Sequence, residues 1–151
     1  MNVKNITPVT AILVLLLLVG CGGHTSVMSA RNDSGNQYST AYIVRNDQST
    51  RDIDVMIARA LMKRGIETSI GTREQQPNNV DFVVTYSDRW KWDISMYLLS
   101  LDIQFTDPST RKILAMADYK NSKLHGYPNP EKTVRSLVQK MLGSAKKEKR
   151  D

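Results

Sequence analysis

Side chains able to do chemistry are sparse in this chain, and their spacing restricts what they can do. There is one thiol, Cys21, and there are two imidazoles, His24 and His125. A single cysteine cannot close an intrachain disulfide, and one cysteine with two histidines falls short of a closed zinc site. His24 and His125 sit in polar stretches and read as solvated side chains. The glycines Gly20, Gly22 and Gly23 flank Cys21 and do not form a phosphate-cradling loop. No nucleophile elbow or histidine motif organises a Ser-His-Asp set. The sequence therefore assigns no catalytic residue, no metal ligand and no cofactor, and no enzymatic activity is expected.

Aromatic chemistry is concentrated in Tyr86-Ser87-Asp88-Arg89-Trp90-Lys91-Trp92-Asp93, which holds both tryptophans of the chain. One reading packs Trp90 and Trp92 across a hairpin or over a sheet edge, with Arg89 or Lys91 paired to Asp88 or Asp93. Such rings supply large buried area and cation–π contacts. The functional reading makes Tyr86, Trp90 and Trp92 an exposed platform for a glycan, a lipid or a protein partner.

The first twenty residues are a different kind of sequence. A short start carrying Lys4 precedes the unbroken apolar run from Ala11 to Val19, and Gly20 and Cys21 follow. A positive start, a short apolar region and a small residue at its end describe a secretory signal peptide over residues 1–20. Nine residues rise about 14 Å as a helix. That is too short for a hydrocarbon core of about 30 Å. Leu18-Val19-Gly20-Cys21 resembles a bacterial lipobox. The resemblance implies cleavage before Cys21 and acylation of Cys21 on its sulfur and on the new amino terminus. Several acyl chains anchor a protein stably where one binds marginally. With Gly22 rather than aspartate after the cysteine, the sorting preference of such proteins in a Gram-negative host implies the periplasmic face of the outer membrane.

Residues 21–39 carry little apolar content and neither hydrophobic period, so they read as the lipidated cysteine and a flexible tether. A coil of this length spans roughly 20–25 Å end to end. Extended, it reaches about 60 Å, enough to hold a domain away from a membrane.

A globular domain is expected over residues 40–143, and 144–151 reads as a basic disordered tail. Ala41–Val44 is β-prone. From Ser49 to Arg64 a helix is expected, capped by Ser49 or Thr50, with Ile53, Met56, Ile57, Ala60 and Leu61 on one face and Gly65 after its end. Ile66–Ile70 and Val80–Tyr86 read as strands, the latter with Phe82, Val84 and Tyr86 on one face. In Ile94–Thr106, Met96 and Leu98 share one face with Ser100, Asp102 and Gln104, which becomes solvated; Tyr97, Leu99, Leu101, Ile103 and Phe105 share the other. The turn Asp107-Pro108-Ser109-Thr110 joins this strand to Ile113–Tyr119 as a hairpin. Asn129-Pro130-Glu131 opens a second helix with Val134, Leu137, Val138, Met141 and Leu142 on one face, ending at Gly143. The fold class is α+β: a two-layer sandwich with a mainly antiparallel sheet of four or five strands and two helices on one face. The other face of the sheet stays open or covers something else.

The 40% hydrophobic content excludes wholesale disorder, and the 151 residues allow one domain and little more. The formal charge of +6 is mild, and loss of Lys4 with the leader reduces it by one. Nucleic acid is excluded as a partner by export and by the lack of a basic-aromatic binding motif. The tail, with Lys146, Lys147, Lys149 and Arg150, reads as solvated.

The pattern Val83-Val84-Thr85-Tyr86, Trp90-Lys91-Trp92-Asp93, Met96-Tyr97-Leu98 and Asp107-Pro108 resembles a group of bacterial lipoproteins that brings no established activity with it. More coarsely, the element order is similar to small envelope domains: the amino-terminal domain of TolB, curli-secretion lipoproteins and LptE. The resemblance implies a non-enzymatic binding or assembly component of the cell envelope. Its partners would be the membrane, through acyl chains on Cys21, and an envelope protein or further copies of itself. The alternative is a lipoprotein that binds glycan, peptidoglycan or lipopolysaccharide through Tyr86, Trp90 and Trp92.

Overall fold

The computed structural model describes residues 24–28, 38–122 and 127–143. The signal peptide, Leu18, Val19, Gly20, Cys21, His125 and the tail from 144 lie outside the described residues. The elements are β1 (His24–Met28), β2 (Thr40–Val44), α1 (Ile53–Met62), β3 (Glu67–Gly71), β4 (Phe82–Trp92), β5 (Met96–Thr106), β6 (Ile113–Lys120) and α2 (Pro130–Met141). The six strands form one sheet in the order β1-β6-β5-β4-β2-β3. β1, β6, β5 and β4 pair antiparallel, while β2 runs parallel to both β4 and β3.

The α+β class and the mainly antiparallel sheet hold; the expected four or five strands become six. The additional strand is β1, inside the stretch read as a tether. Its five residues pair with β6 from His24 opposite Lys120 to Met28 opposite Met116. As an edge strand it contributes backbone hydrogen bonds and turns only Val27 towards the main core. Hydrophobic alternation needs one buried face, so such a strand leaves almost no trace in the sequence. Only Gly22 and Gly23 then separate Cys21 from the sheet, and residues 29–39 lie between β1 and β2 in the chain.

Both helices bury their apolar stripes in one cluster with alternate residues of the sheet. Ile53, Ile57, Leu61, Val134, Val138 and Met141 meet Ile43, Phe82, Val84, Leu101, Ile103 and Phe105 there. On the opposite face, Tyr42, Val44 and Val83 form a small second cluster with Val80. Elsewhere that face carries Asp102, Gln104 and Asp118, and Met28 lies exposed opposite an exposed Met116.

The first helix is shorter than expected. Asp52 occupies the N-cap position, and Ser49 and Thr50 lie before it. Asn46 explains the displacement. Its side-chain oxygen accepts from Gln48 N–H at 3.1 Å, and its carbonyl accepts from Ser49 N–H at 2.9 Å, so residues 46–49 are committed to a turn. At the other end, Gly65 has φ 80°, and the amides of Gly65 and Ile66 reach back to the carbonyls of Met62 and Leu61. This is a Schellman closure, with buried Ile66 beside buried Leu61. The second helix begins as the sequence indicates: the Asn129 side chain accepts from Lys132 N–H at 3.0 Å, and Pro130 opens the first turn.

Asp81 fastens β4 to β2. Its carboxylate accepts from the backbone N–H of Ser39 at 2.6 Å and of Thr40 at 2.9 Å, and its own N–H donates to Thr40 Oγ1. The Ser39 amide first, with that of Thr40 and the Thr40 hydroxyl, holds its carboxyl below the usual aspartate value. A depressed folded-state pKa stabilises the fold above the unfolded pKa, and this contribution is lost as pH falls through the folded one. Asp81→Asn is expected to cost about 1 kcal/mol at pH 7, discounted for solvent at this exposed site. The difference should shrink below about pH 4. Urea unfolding at pH 7 and pH 3 checks both statements.

Candidate functional site

The aromatic residues singled out from the sequence lie on β4, in the hairpin it forms with β5. Tyr86, Trp90 and Trp92 occupy alternate positions, which places them on one side of the strand, but at three different depths. Tyr86 is buried, and its hydroxyl accepts the Asn46 N–H at 3.3 Å while its carbonyl accepts from the Asn46 side chain. Burial pushes that hydroxyl above its ordinary pKa. Trp90 is half-buried against the main core, its indole N–H donates to Asp88 Oδ2 at 2.6 Å, and the Arg51 guanidinium lies 5.5 Å from its ring centre. Trp92 is 67% exposed. The three do not present one continuous aromatic surface.

Charge pairing around them also differs from the sequence reading. Neither Asp88 nor Asp93 takes part in an ion pair among the described residues. Arg89 Nε donates instead to Ser100 Oγ at 2.9 Å, across the strand pair. Asp88 Oδ1 is buried without a hydrogen-bond partner.

A register shift decides which side chains reach the surface. Arg89 lies opposite Ser100, yet Trp90 lies opposite Leu98, so Leu99 has no counterpart on β4. One extra residue reverses the facing of everything beyond it. Leu98 is consequently fully buried in the main core, where simple alternation had placed it on the solvated face. Beyond the shift, Trp92 and Met96 pair directly, and Ile94 sits at the tip between them, 85% exposed. The neighbouring Tyr97 ring meets Tyr127 edge to face at 5.7 Å, and Tyr127 is half-exposed. Ile94, Met96 and Tyr127 had not been singled out with the tryptophans. The available signal was an isoleucine placed between Asp93 and Ser95 at a hairpin tip, where polar residues are usual.

The open face of the sheet carries a second notable pair. Asp102 on β5 lies directly opposite Asp118 on β6. Loss of solvent around it, a hydrogen bond with Asp118 and the Asp118 charge raise the Asp102 carboxyl above its ordinary pKa, against the opposing influence of Lys120 and Arg89. A carboxyl with a raised folded-state pKa stabilises the fold below its unfolded pKa, and this is lost as pH rises through the folded value. Asp102→Asn is therefore expected to stabilise the domain at pH 7 by about 0.5 kcal/mol, since like charges directly opposite disfavour pairing. The gain should vanish by pH 3, a trend that thermal unfolding at the two pH values measures.

A polar cleft of about 570 Å³ opens where β2 and β3 end beside β4, between Arg45, Asp47, Arg73 and Glu74. Charges of both signs line it. Among the described residues no three His, Cys, Asp or Glu side chains come together as a metal site.

Neither a protein-family model nor a curated protein matches the sequence. Among solved structures, the chain is similar to a PelC dodecamer from Paraburkholderia phytofirmans in two crystal forms. For a variant of that protein the TM-score is 0.54 at 16% identity, covering 80% of this chain and 95% of the other. In the second form the TM-score is 0.53 at 17% identity, with 80% and 94% covered. TolB from Acinetobacter baumannii aligns more loosely, with TM-score 0.46 and 13% identity over 80% of this chain and 31% of that one. At these identities the PelC likeness establishes a shared fold, extending over nearly the whole of the PelC chain.

Proposed function

We propose that this chain is a lipoprotein of the cell envelope, anchored through acyl chains on Cys21, whose α+β domain is a non-enzymatic assembly component that associates with copies of itself. In a Gram-negative host it stands at the periplasmic face of the outer membrane. The observation that carries the reading is the likeness, over 80% of this chain, to a chain described as a dodecamer. The two sheet edges support it: β1 and β3 differ in sequence, and among the described residues each leaves one side without a strand partner. Unlike edges suit a head-to-tail contact, which repeats and closes into a ring when its rotation allows. A partner protein of the envelope would use the same surfaces.

The test is the mass of the lipidated full chain in mild detergent, by native mass spectrometry and analytical ultracentrifugation, with Cys21→Ala as control. A multimer of defined copy number is expected, and a stoichiometric envelope protein in its place would keep the assembly role with another partner. A monomer at every concentration, without a companion, overturns the proposal. Exposed Trp92 favours a second reading, contact with a glycan, peptidoglycan or lipopolysaccharide. Under that reading Trp92→Ala abolishes a fluorescence response to lipopolysaccharide that the unaltered chain shows.

A further inference from the structure

Three antiparallel registers place distant parts of the chain at the same end of the sheet. His24 lies opposite Lys120, Lys120 opposite Ser100, and Ser100 opposite Arg89. These four residues form one row across β1, β6, β5 and β4, roughly 14 Å wide at ordinary strand spacing. Beyond the row, β4 and β5 continue to the tip at Ile94. From Arg89 to Trp92 the strand advances about 10 Å. On β1, the chain preceding His24 leaves from the same end, because β1 and β5 both begin where β6 finishes. Three residues before His24 stands Cys21, within about 10 Å of it even when fully extended.

The lipid attachment point and the apolar hairpin tip can thus reach one plane. Trp92, Ile94 and Met96 are exposed there, at 67%, 85% and 38%. Tyr97 and Tyr127 meet edge to face beside the tip, and Lys91 flanks it. Tryptophan and tyrosine favour the boundary between water and lipid, and basic side chains favour an anionic headgroup layer. Asp93, between Trp92 and Ile94, belongs in the hydrated headgroups and sets a shallow depth.

We infer that the β4–β5 hairpin tip, through Trp92, Ile94 and Met96, is a second membrane contact, seated in the same bilayer surface that holds the acyl chains of Cys21. The inference rests on the lipoprotein reading above. It adds an orientation: strands stand steeply on the membrane, the β5–β6 turn at Asp107–Thr110 points away from it, and no long tether intervenes. Two contacts separated across the base fix how the domain stands, whereas one flexible anchor leaves it free to tumble. Edges held upright and parallel to the membrane normal suit side-by-side association.

The experiment uses the lipidated full chain carrying Ile94→Cys or Ser109→Cys, each labelled with a bimane fluorophore. Acylation leaves the introduced cysteine as the free thiol. The proteins are reconstituted into vesicles of phosphatidylethanolamine and phosphatidylglycerol with spin-labelled acyl chains. The label at position 94 is expected to lose most of its emission to the lipid quencher, while the label at position 109 keeps its emission and responds to aqueous iodide. Equal exposure of both labels to iodide overturns the tip contact. So does a label at position 94 shielded from iodide and lipid quencher alike, which assigns the tip to another copy or a partner protein. Mass spectrometry of the same samples reads the acyl chains separately. Their absence overturns the lipoprotein reading itself, whereas absence of quenching in an acylated chain overturns the tip contact alone.

Discussion

Replacing Phe82 by alanine is expected to destabilise the domain by about 4 kcal/mol, within the range for a fully buried phenylalanine. Phe82 is fully buried at the start of β4, and its ring meets Tyr38 edge-on at 5.1 Å and Phe105 at 4.6 Å. The position matters as much as the lost volume. β2 and β4 pair through just three residue positions, Ala41, Tyr42 and Ile43 against Phe82, Val83 and Val84. That short parallel ladder is the join between the β2–α1–β3 unit and the long β4–β5–β6 meander. Removing the ring opens a cavity beside the join and leaves Phe105 and Tyr38 without their common neighbour. Urea unfolding should show a lower midpoint, and partial loss of cooperativity if the β2–α1–β3 unit separates first. A cost below about 1 kcal/mol would contradict the central place given to this ring.

The two tryptophans should respond in opposite ways. Trp90→Ala is expected to cost about 3 kcal/mol, because it removes a half-buried ring from the core edge and strips Asp88 of its indole donor. Asp88 already has one buried oxygen without a partner, so the loss of the other bond leaves a carboxylate poorly compensated at that site. Trp92→Ala should leave stability within about 0.5 kcal/mol, as is usual for an exposed side chain. It should instead weaken attachment to membranes, most visibly when Cys21→Ala removes the acyl chains and the tip must bind alone. Trp90→Phe keeps ring packing while removing the N–H donor, and separates the two contributions at that position. Equal destabilisation by Trp90→Ala and Trp92→Ala would contradict the division of roles along β4.

Where a side chain is held by local rules, the sequence was a good guide. Gly65 supplies the positive φ needed for the closure after α1, and Asn129-Pro130 begins α2 by satisfying an amide and omitting another. Phe82, Val84 and Tyr86 do share the buried face of their strand. The reading failed at the start of α1, where Asn46 committed the preceding residues to a turn, and at Leu98, where the shift at Leu99 interrupts a regular alternation. It failed also at β1. The failures at Leu98 and β1 come from backbone pairing between strands, which selects no particular side chain, whereas the one at α1 is local, a turn at Asn46 that keeps Ser49 out of the helix.

The sequence by itself determined the α+β class, both helix faces, and strands close to β2 through β6, because burying one face imposes a period of 3.6 or 2 on the residues that build it. It also contained the expectation of a lipidated Cys21. Only the tertiary structure decided that six strands form the sheet, that Trp90 supports it while Trp92 faces outward, and that β1 starts at the end where the β4–β5 hairpin projects. Those features depend on strand order and register. Backbone amides and carbonyls fix them, and every residue other than proline carries the same pair of these groups.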